Sequence, residues 1–509
     1  MLISSPYVIL GIIAVYFGIL VLISWFTTRR VQVDSFYLGN RKTAWYVIAF
    51  GMIGSSISGV TFISVPGMVG ASQLSYLQMV LGFVLGYVVV AQVLLPLYYS
   101  LGLTSIYSYL HTRFGRYSYK TGAAFFLLSR LLGSAIRMLV VAIVLQALVF
   151  DKLGIPFAVN VLFTVGLIFL YTHKGGIKTI IWTDTLQTFA LLLTLALCMV
   201  GLARAMDLSL GGVLTLMRES DLSRAFFFDN PADKRYFFKQ FLAGVFTTIT
   251  MTGMDQDMMQ KNLSCKNLRD AQRNMRAYGL AFLPVNLLFL TLGVMFYSFI
   301  ARNGLAMPDK PDEIFPYIAT GGFLHPVVGV LFVVGIIAAA YSSADSAIAA
   351  LTTSFTIDIL GLKNDDPNLR RKRRWVHAGM SAVFLLLILA FKFFYSESII
   401  NTVYKVASYT YGPLLGLFAF GLFTKVQVRD RWVPVVAILS PVLSFALSEL
   451  SPVLLSGYEV GFELLIVNGI ITFAGLLLLR KKLPPARHLP LSPEPPTRTD
   501  YESTKKQSI

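Results

Sequence analysis

The sequence predicts an all-α polytopic membrane protein, and two observations carry this prediction. Of its 509 residues, 56% are hydrophobic and only 14% are charged, proportions that soluble chains of this length rarely show. Apolar runs of roughly 18 residues or more, the length that a helix needs to cross a bilayer, recur along nearly the whole chain. We count about thirteen such runs, at 6–26, 43–69, 73–99, 120–150, 154–172, 177–205, 236–258, 277–301, 323–360, 375–396, 400–424, 432–450 and 461–479.

The distribution of charge predicts how these runs cross the membrane. The net charge is +17, but the basic residues are concentrated in every second loop, for example in "HTRFGRYSYK", "KNLSCKNLRDAQRNMR" and "LRRKRRW". The loops between them, such as "DLSRAFFFDNPADKR" and "ARNGLAMPDKPDE", hold more acids. This alternation follows the positive-inside rule and therefore indicates a lipid bilayer rather than a nucleic acid as the partner. It places the N-terminus outside and the C-terminus inside, which agrees with an odd number of crossings.

Other classes of function find little support in the sequence. Cys198 lies in a predicted span and Cys265 in a predicted cytoplasmic loop, so they indicate neither a disulfide framework nor a set of metal ligands. The chain has no Walker motif, and its histidines fall near predicted span ends or in loops. We therefore expect neither an enzyme nor an ATP-driven pump. The stretch 480–509 is polar and rich in proline, which predicts a disordered cytoplasmic tail.

One predicted span combines helix-breaking residues with hydroxyls. The segment "GMIGSSISGVTFISVPG", residues 51–67, places several glycines and a proline beside Ser55, Ser56, Ser58 and Thr61. Two interpretations are open. Small residues allow close packing between membrane helices. Alternatively, the helix is broken at mid-membrane, where freed carbonyls coordinate a cation and hydroxyls meet a polar solute.

Two aspartates lie inside predicted spans, where insertion of each costs about 2.5–3.5 kcal/mol. Asp184, in "GGIKTIIWTDTLQTF", lies about two turns inside its span, deeper than a helix cap at the membrane edge requires. Asp345, in "AAAYSSADSAIAALTTSFTID", shares one helix face with Ser342 and Ser346, and Ser343 stands one step round. Hydroxyl, carbonyl and carboxylate oxygens suit a small hard cation. The alternative is that each aspartate only caps a nearby helix end.

In their order along the chain, these stretches resemble the sodium:solute symporter family. The resemblance rests on "FYLGNRKTAWYVIAFGMIGSSISGVTFISVPG", "TSIYSYLHTRFG", "GGIKTIIWTDTLQ", "GMDQDMMQKNL", "AAAYSSADSAIAALTTSFTIDI" and "YGPLLGLFAFGLF". It implies a LeuT-type core, in which five helices are repeated with inverted topology and the first helix of each repeat is broken. The implied segments are a leading helix at 1–30, the first repeat at 43–205, the second repeat at 236–424 and two trailing helices at 432–479.

The resemblance also implies sites for co-transported sodium ions. For one ion it supplies the carbonyls of Gly54, Ile57 and Ala339 and the hydroxyls of Ser342 and Ser343. The sialic-acid branch of the family is similar in a further respect, because it uses the aspartate of its fifth core helix, together with hydroxyls of its eighth, for a second sodium ion. The corresponding positions here are Asp184, Ser342, Asp345 and Ser346. Asp345 stands where the resemblance would lead us to expect a hydroxyl.

The predicted solute-binding residues come from three spans. The glycine-rich span offers Ser56, Ser58 and Thr61, and the next span offers Gln78. Arg137 lies near the middle of its span, at a position resembling the arginine that meets the substrate carboxylate in the sialic-acid branch. A guanidinium suits a carboxylate because it can form two parallel hydrogen bonds. The alternative is a structural ion pair between Arg137 and an acid on another helix.

Together these expectations describe a sodium-coupled symporter that imports a small polar solute by alternating access. We expect it in the plasma membrane, or in the inner membrane of a Gram-negative cell. The expected solute bears a carboxylate, with sialic acid or another sugar acid ahead of a monocarboxylate or an amino acid. The alternatives are a proton-coupled carrier of the same fold, or sodium-coupled transport of a neutral sugar, an amino acid or a vitamin. A rival from another class is an intramembrane hydrolase with Asp184 and Asp345 as its dyad, which leaves the hydroxyls unexplained.

Overall fold

Helices account for nearly all of the described structure. The computed structural model describes residues 5–28, 43–172, 177–362, 366, 368–394, 399–454, 458 and 460–481. No β-sheet forms among these residues, whose strand-like pairing is limited to isolated bridges between Thr43 and Cys265 and between Val428 and Arg480. The predicted cytoplasmic tail lies outside the described residues from residue 482 onward.

The helices are numbered here in chain order. The first half of the chain contains α1 (Pro6–Thr28), α2 (Trp45–Ser56), α3 (Gly59–Ser72), α4 (Tyr76–Ser100), α5 (Ser108–Arg113), α6 (Arg116–Leu145), α7 (Phe157–Thr172), α8 (Ile177–Ala205) and α9 (Leu210–Glu219). The second half contains α10 (Phe237–Thr248), α11 (Gln256–Leu263), α12 (Leu268–Arg302), α13 (Ile314–Thr320), α14 (Pro326–Ser354), α15 (Leu369–Phe394), α16 (Ile399–Phe423), α17 (Val433–Leu454) and α18 (Leu464–Leu478). Short 3₁₀ and π turns extend or connect several of them.

Length and hydropathy single out most of the predicted spans. Within the described part of the chain, nine helices are long and apolar enough to cross a membrane, or ten if α2 and α3 form one bent span. α7 and α18 are apolar but shorter, and the predicted span 236–258 is divided between α10 and the turn that follows it. Each predicted span thus coincides with helix. The count of thirteen crossings, the sides of the termini and the repeat boundaries stay predictions.

The glycine-rich span is broken between α2 and α3. Ile57 has φ −82° and ψ 88°, and Ser58 has φ −78° and ψ 172°, so the backbone leaves the helical conformation there. The axes of α2 and α3 differ by 59°. The N–H of Ser58 donates to the carbonyl of Ser56 at 3.1 Å instead of reaching back four residues to Gly54. The Gly54 carbonyl therefore lacks the partner that a continuous helix would give it.

A second break follows α10. A π turn at Ile249–Gly253 extends this helix, and the chain then leaves the helical conformation before α11 begins at Gln256. The carboxylate of Asp255 caps α11 by accepting hydrogen bonds from the N–H groups of Asp257 and Met258, at 2.9 and 3.2 Å. All residues of α11 are buried. In the predicted repeats, the two breaks occupy corresponding positions.

α8 packs along both α2 and α14. A Cβ on Gly54 of α2 would lie 2.1 Å from Oγ1 and 3.0 Å from Cα of Thr188 on α8. A Cβ on Gly59, at the start of α3, would lie 3.9 Å from the Cβ of Ala340 on α14. Small residues at such contacts let membrane helices approach closely. The two interpretations of the glycine-rich span, close packing and a broken helix, are therefore both realised in it.

Candidate ion and solute sites

The predicted sodium ligands on α14 are buried but differ in their hydrogen bonds. Ala339 and Ser342 are 0% exposed and Ser343 is 1% exposed. Ser342 Oγ donates to Oδ1 of Asp184 at 3.1 Å. Ser343 Oγ, in contrast, has no hydrogen-bond partner among the described residues. Because buried hydroxyls almost always find a partner, this oxygen is available to a ligand that the protein itself does not supply.

The remaining predicted sodium ligands are backbone carbonyls at the break between α2 and α3. The Gly54 carbonyl has lost its helical partner, and Ile57, at the turning point, is 0% exposed. α2 and α3 both contact α14, the latter through the approach of Gly59 to Ala340. The structure thus brings the helix break and the serines of α14 to one interface, the arrangement in which transporters of this architecture hold ions.

The carboxylate of Asp184 lies where α2, α8, α11 and α14 meet. Its Oδ2 lies 2.8 Å from Nζ of Lys261 on α11 and accepts a hydrogen bond from Ser55 Oγ of α2 at 2.8 Å. Lys261 Nζ also donates to Ser55 Oγ at 2.7 Å and lies 3.6 Å from Oδ1 of Asp257. Oδ1 of Asp184 is the atom that Ser342 contacts. Asp184 therefore has a basic partner, and this partner comes from a distant part of the chain.

The carboxylate of Asp345 faces other neighbours. Its Oδ2 accepts a hydrogen bond from the hydroxyl of Tyr171 on α7 at 2.9 Å, and its Oδ1 accepts one from the N–H of Ser346 at 2.5 Å. Ser346 Oγ lies 2.9 Å from the carbonyl of Ser342 and 3.1 Å from Oδ2 of Asp257. Ser342 and Ser346 are thus linked to acids on other helices. Asp345 is instead bonded to α7 and to its own helix.

A further group of charges surrounds the start of α11. Arg130 on α6 forms ion pairs with Asp255, at 3.7 Å between Nη1 and Oδ2, and with Asp257. Tyr411 on α16 donates to Oδ2 of Asp255 at 2.6 Å. Sequence reasoning did not assign a role to Asp255, Asp257 or Lys261. A signal was present, because Asp257 and Lys261 stand four residues apart, the spacing of a helical ion pair.

A cavity lined by many polar side chains lies beside the helix break. Four of the five predicted solute-binding residues line it, namely Ser56, Ser58, Thr61 and Arg137. Hydroxyl groups that were not predicted also line it, from Thr247, Thr248, Thr252, Tyr76, Tyr87, Tyr278 and Tyr404. Ser55 is part of the wall as well. Through Ser55, the cavity therefore adjoins the contact between Asp184 and Lys261.

Arg137 stands in the wall of this cavity and is partly exposed to it. Among the residues that the structure describes, no carboxylate lies within ion-pair distance of its guanidinium; Asp255 and Asp257 pair with Arg130, two turns earlier on α6. The structural ion pair that sequence reasoning left open is therefore not seen in the described part of the chain. The guanidinium of Arg137 presents its donors to the cavity.

Gln78 is the predicted solute-binding residue that the structure does not bring to the cavity. Its side chain is 0% exposed. Nε2 donates to the carbonyls of Arg235 at 2.7 Å and Ser75 at 3.2 Å, and Oε1 accepts from the N–H of Phe227 at 3.1 Å. Both ends of the amide are thus satisfied by backbone groups. Gln78 instead holds the connection between α9 and α10 against the start of α4.

Tyrosine hydroxyls narrow the cavity. The hydroxyl of Tyr76 on α4 lies 3.1 Å from that of Tyr404 on α16. Tyr278 on α12 contacts the hydroxyl of Ser56, and its oxygen lies 2.7 Å from the hydroxyl of Tyr87. Because tyrosine combines an apolar ring with a polar tip, these side chains both line the cavity and can offer hydrogen bonds to its occupant.

A helical membrane protein in which broken helices meet buried hydroxyls and a polar cavity has the architecture of a secondary transporter. The family follows from the sequence. The chain belongs to the Sodium:solute symporter family, which it matches over residues 36–429. The predicted family and the predicted multi-pass, all-α fold are thereby confirmed.

Three relatives indicate the range of proteins that the chain resembles. It is 27% identical to human sodium-coupled monocarboxylate transporter 1 and 27% identical to the human sodium/iodide cotransporter. These matches cover 76% and 77% of the chain but 64% and 61% of the human proteins, so the chain spans less than two thirds of their length. It is 24% identical to the sodium/sialic acid symporter NanT of Aliivibrio fischeri, over 82% of the chain and 83% of NanT.

Two solved structures share the fold. A Na⁺-coupled sialic acid symporter in a substrate-bound, outward-open state has a TM-score of 0.78, covering 93% of this chain and 99% of its own at 19% identity. Mhp1, a nucleobase-cation-symport-1 family transporter in a closed conformation with bromovinylhydantoin bound, has a TM-score of 0.55, covering 87% and 93% at 15% identity. At these identities the likeness establishes the fold, which is the LeuT-type fold that the resemblance implied.

Proposed function

We propose that the protein imports a small, carboxylate-bearing solute together with sodium by alternating access. The observation that carries the proposal is Arg137, which lines a polar cavity and has no acid at ion-pair distance among the described residues. An uncompensated guanidinium inside a membrane protein is costly. A carboxylate solute would compensate it through two parallel, charge-assisted hydrogen bonds. The relatives support an anion, because monocarboxylates, iodide and sialic acid are the substrates in their names.

Sodium, the co-transported ion, is proposed to bind where α2 breaks. Its ligands would be the carbonyls of Gly54, Ile57 and Ala339 and the hydroxyls of Ser342 and Ser343. These are hard oxygen donors, the kind that small hard cations prefer. The buried hydroxyl of Ser343, which lacks a hydrogen-bond partner among the described residues, supports this assignment. An ion at this place would join α2 to α14, and separation of the two helices on the cytoplasmic side would release it.

Among carboxylates, we place sialic acid or another sugar acid first. The hydroxyls of Ser56, Thr61 and Thr252 offer both donors and acceptors to the hydroxyl groups of a sugar. A monocarboxylate is the second candidate, because the chain is more identical in sequence to the human monocarboxylate transporter than to NanT. Sialic acid stays ahead of it, because the match to NanT covers more of NanT's length.

We place the protein in the plasma membrane, or in the inner membrane of a Gram-negative cell, and propose no enzymatic role for it. The two carboxylates that a hydrolytic dyad would use are each bonded to other groups, Asp184 to Lys261 and Asp345 to Tyr171. Proton coupling in the same fold is the alternative that an experiment has to separate from sodium coupling.

A thermal-shift screen of the purified protein tests the solute class. Sugar acids including sialic acid, monocarboxylates, amino acids and neutral sugars are compared in sodium and in choline. We expect a carboxylate to raise the Tm in sodium, because a ligand that binds only the folded state stabilises it. The shift should disappear in Arg137→Gln and persist in Arg302→Gln, which changes an exposed arginine at the end of α12. Stabilisation by neutral sugars alone, unchanged in Arg137→Gln, would contradict the proposal.

A further inference from the structure

Oxygen atoms from three helices surround the ammonium group of Lys261. Nζ lies 2.8 Å from Oδ2 of Asp184 on α8, 2.7 Å from Oγ of Ser55 on α2 and 3.6 Å from Oδ1 of Asp257 on α11 itself. The side chains of the lysine and of both acids are at most 2% exposed, so water screens these contacts little. Carboxylate and hydroxyl oxygens in this arrangement are also the ligands that a small hard cation prefers.

This ammonium lies among the residues predicted to hold a second sodium ion. Asp184, one of them, offers Oδ1 to Ser342 and Oδ2 to Lys261. Ser346, another, contacts Asp257, which is the second acid beside Lys261. Of the residues predicted for the second ion, Asp184 therefore contacts this positive charge directly, and Ser346 is linked to it through Asp257. That charge is attached to the protein chain.

We propose that the ammonium of Lys261 is a tethered cation that takes the place of a second sodium ion at Asp184. Each protein molecule then binds one sodium ion, at the break between α2 and α3. This inference rests on the proposed function, because it presupposes that sodium binds at Ser343. An ion that exchanges with the solution couples transport to its gradient, whereas an ammonium fixed to α11 does not leave. The sodium-to-solute ratio of the transport cycle is therefore one.

Removal of the ammonium should create the second sodium site. In Lys261→Met, the carboxylate of Asp184 keeps its contacts to Ser55 and Ser342 but loses the positive charge at Oδ2. An unpaired carboxylate inside a membrane protein is strongly unfavourable. A sodium ion from solution should therefore occupy the vacated position. A lysine that served only to join helices would leave the number of bound ions unchanged when it is replaced.

Equilibrium binding of radiolabelled sodium to the purified full-length protein tests the proposal without knowledge of the solute. We expect one ion per molecule of wild type, two in Lys261→Met, and one in Lys266→Met, which changes an exposed lysine in the loop after α11. Adding Asp184→Asn to Lys261→Met should return the count to one, whereas adding Ser343→Ala should weaken one of the two sites and leave the affinity of the other unchanged. Two ions in the wild type, or one in folded Lys261→Met, would overturn the proposal.

A Lys261→Met protein that is recovered only in high sodium gives the same test through its stability. Its Tm should rise with the logarithm of sodium concentration more steeply than that of the wild type, because each ion bound by the folded state adds to the stabilisation. Equal slopes would contradict the proposal. Failure of the proposed function has a different outcome, since the wild type would then bind no sodium ion at all.

Discussion

Polar side chains inside this protein differ in whether the protein itself satisfies them. Gln78 has both ends of its amide bonded to backbone groups, and Asp184 pairs with Lys261. Ser343 is just as buried, and Arg137 stands in a cavity wall, yet among the described residues neither has the partner that its chemistry requires. We therefore expect Ser343 and Arg137 to respond to ligands, and the satisfied residues to respond mainly through the stability of the fold.

Ser343→Ala should weaken sodium binding with little loss of stability. The change removes one sodium ligand but breaks no hydrogen bond with a described residue. One contact to a charged group is worth about 1.5–3 kcal/mol, so the Kd for sodium should rise by roughly 10- to 100-fold. Ser64→Ala is the matched control, because Ser64 is also a buried hydroxyl without a described partner but lies on α3 beyond the break. Equal sodium affinity in Ser343→Ala and the wild type would contradict the ligand assignment.

Arg137→Gln and Arg130→Gln should fail in different ways. Arg137→Gln removes two hydrogen bonds to the solute carboxylate, each worth about 1.5 kcal/mol, so the Kd for the solute should rise on the order of 100-fold. Its Tm without solute should stay close to that of the wild type. Arg130→Gln leaves Asp255 without an ion pair and Asp257 with only its longer contact to Lys261, and should lower stability by about 3–5 kcal/mol. Solute binding and Tm measured on the same preparations separate the two roles, and the reverse pattern would make Arg137 the structural arginine.

At the scale of helices, the break after α2 depends on how closely α2 approaches α8. The N–H of Gly54 donates to Oγ1 of Thr188 on α8 at 3.0 Å, immediately before the chain leaves the helix. A Cβ on Gly51, one turn earlier, would lie 3.3 Å from the Cβ of Asp184. The last turn of α2 is thus held against an unbroken helix. This contact fixes where the helix ends, and therefore where the carbonyls that it frees are placed.

Gly54→Ala should destabilise the protein, because its new Cβ would lie 2.1 Å from Oγ1 of Thr188. Overpacking of this kind costs about 1–3 kcal/mol, which a lower Tm in detergent would report. Thr188→Ala removes the clashing oxygen, so the double variant should be more stable than the sum of the single effects predicts. The control is Gly166→Ala on α7, where a Cβ would meet nothing within 4 Å. A Tm unaffected by Gly54→Ala would show that α2 does not need this close contact.

The helices and the polar spans are predictable from the sequence because both are local signals. The length of a helix is harder to predict than its existence. The apolar run at 154–172 includes Gly154 and Pro156, which precede the first residue of α7, so this helix is shorter than the run. Partners across the bundle are not local. The pairing of Asp184 with Lys261 and the satisfied amide of Gln78 depend on how distant segments pack. Residue type alone therefore cannot distinguish Gln78 from a solute ligand.

At the scale of the whole molecule, we expect the contact between α4 and α16 to close the outer end of the cavity. The hydroxyls of Tyr76 and Tyr404 meet there at 3.1 Å, and Ile400 and Val403, at the start of α16, also line the cavity. Both α4 and α16 begin on the outer side in the predicted topology. Alternating access then requires this contact to open and close in every transport cycle.

The double variant Tyr76→Cys/Tyr404→Cys should stop transporting solute when a cleavable bifunctional thiol reagent joins its two new cysteines. The link would hold the outer end closed, and its cleavage should restore uptake. Cys198 and Cys265 are buried and should not react. Each single cysteine variant, treated with the same reagent, serves as the control, because it shows how much uptake is lost through modification of one position alone. Continued uptake by fully cross-linked protein would contradict the assignment of this contact as an outer closure.

Uptake into proteoliposomes at fixed pH tests the central claim, sodium-coupled import of a carboxylate, most directly. The labelled solute is the carboxylate that most raises the Tm of the purified protein in sodium. We predict accumulation when sodium is higher outside than inside, no accumulation when choline replaces sodium, and a higher sodium requirement in Ser343→Ala. Accumulation in choline driven by a proton gradient, and unaffected by added sodium, would contradict sodium coupling.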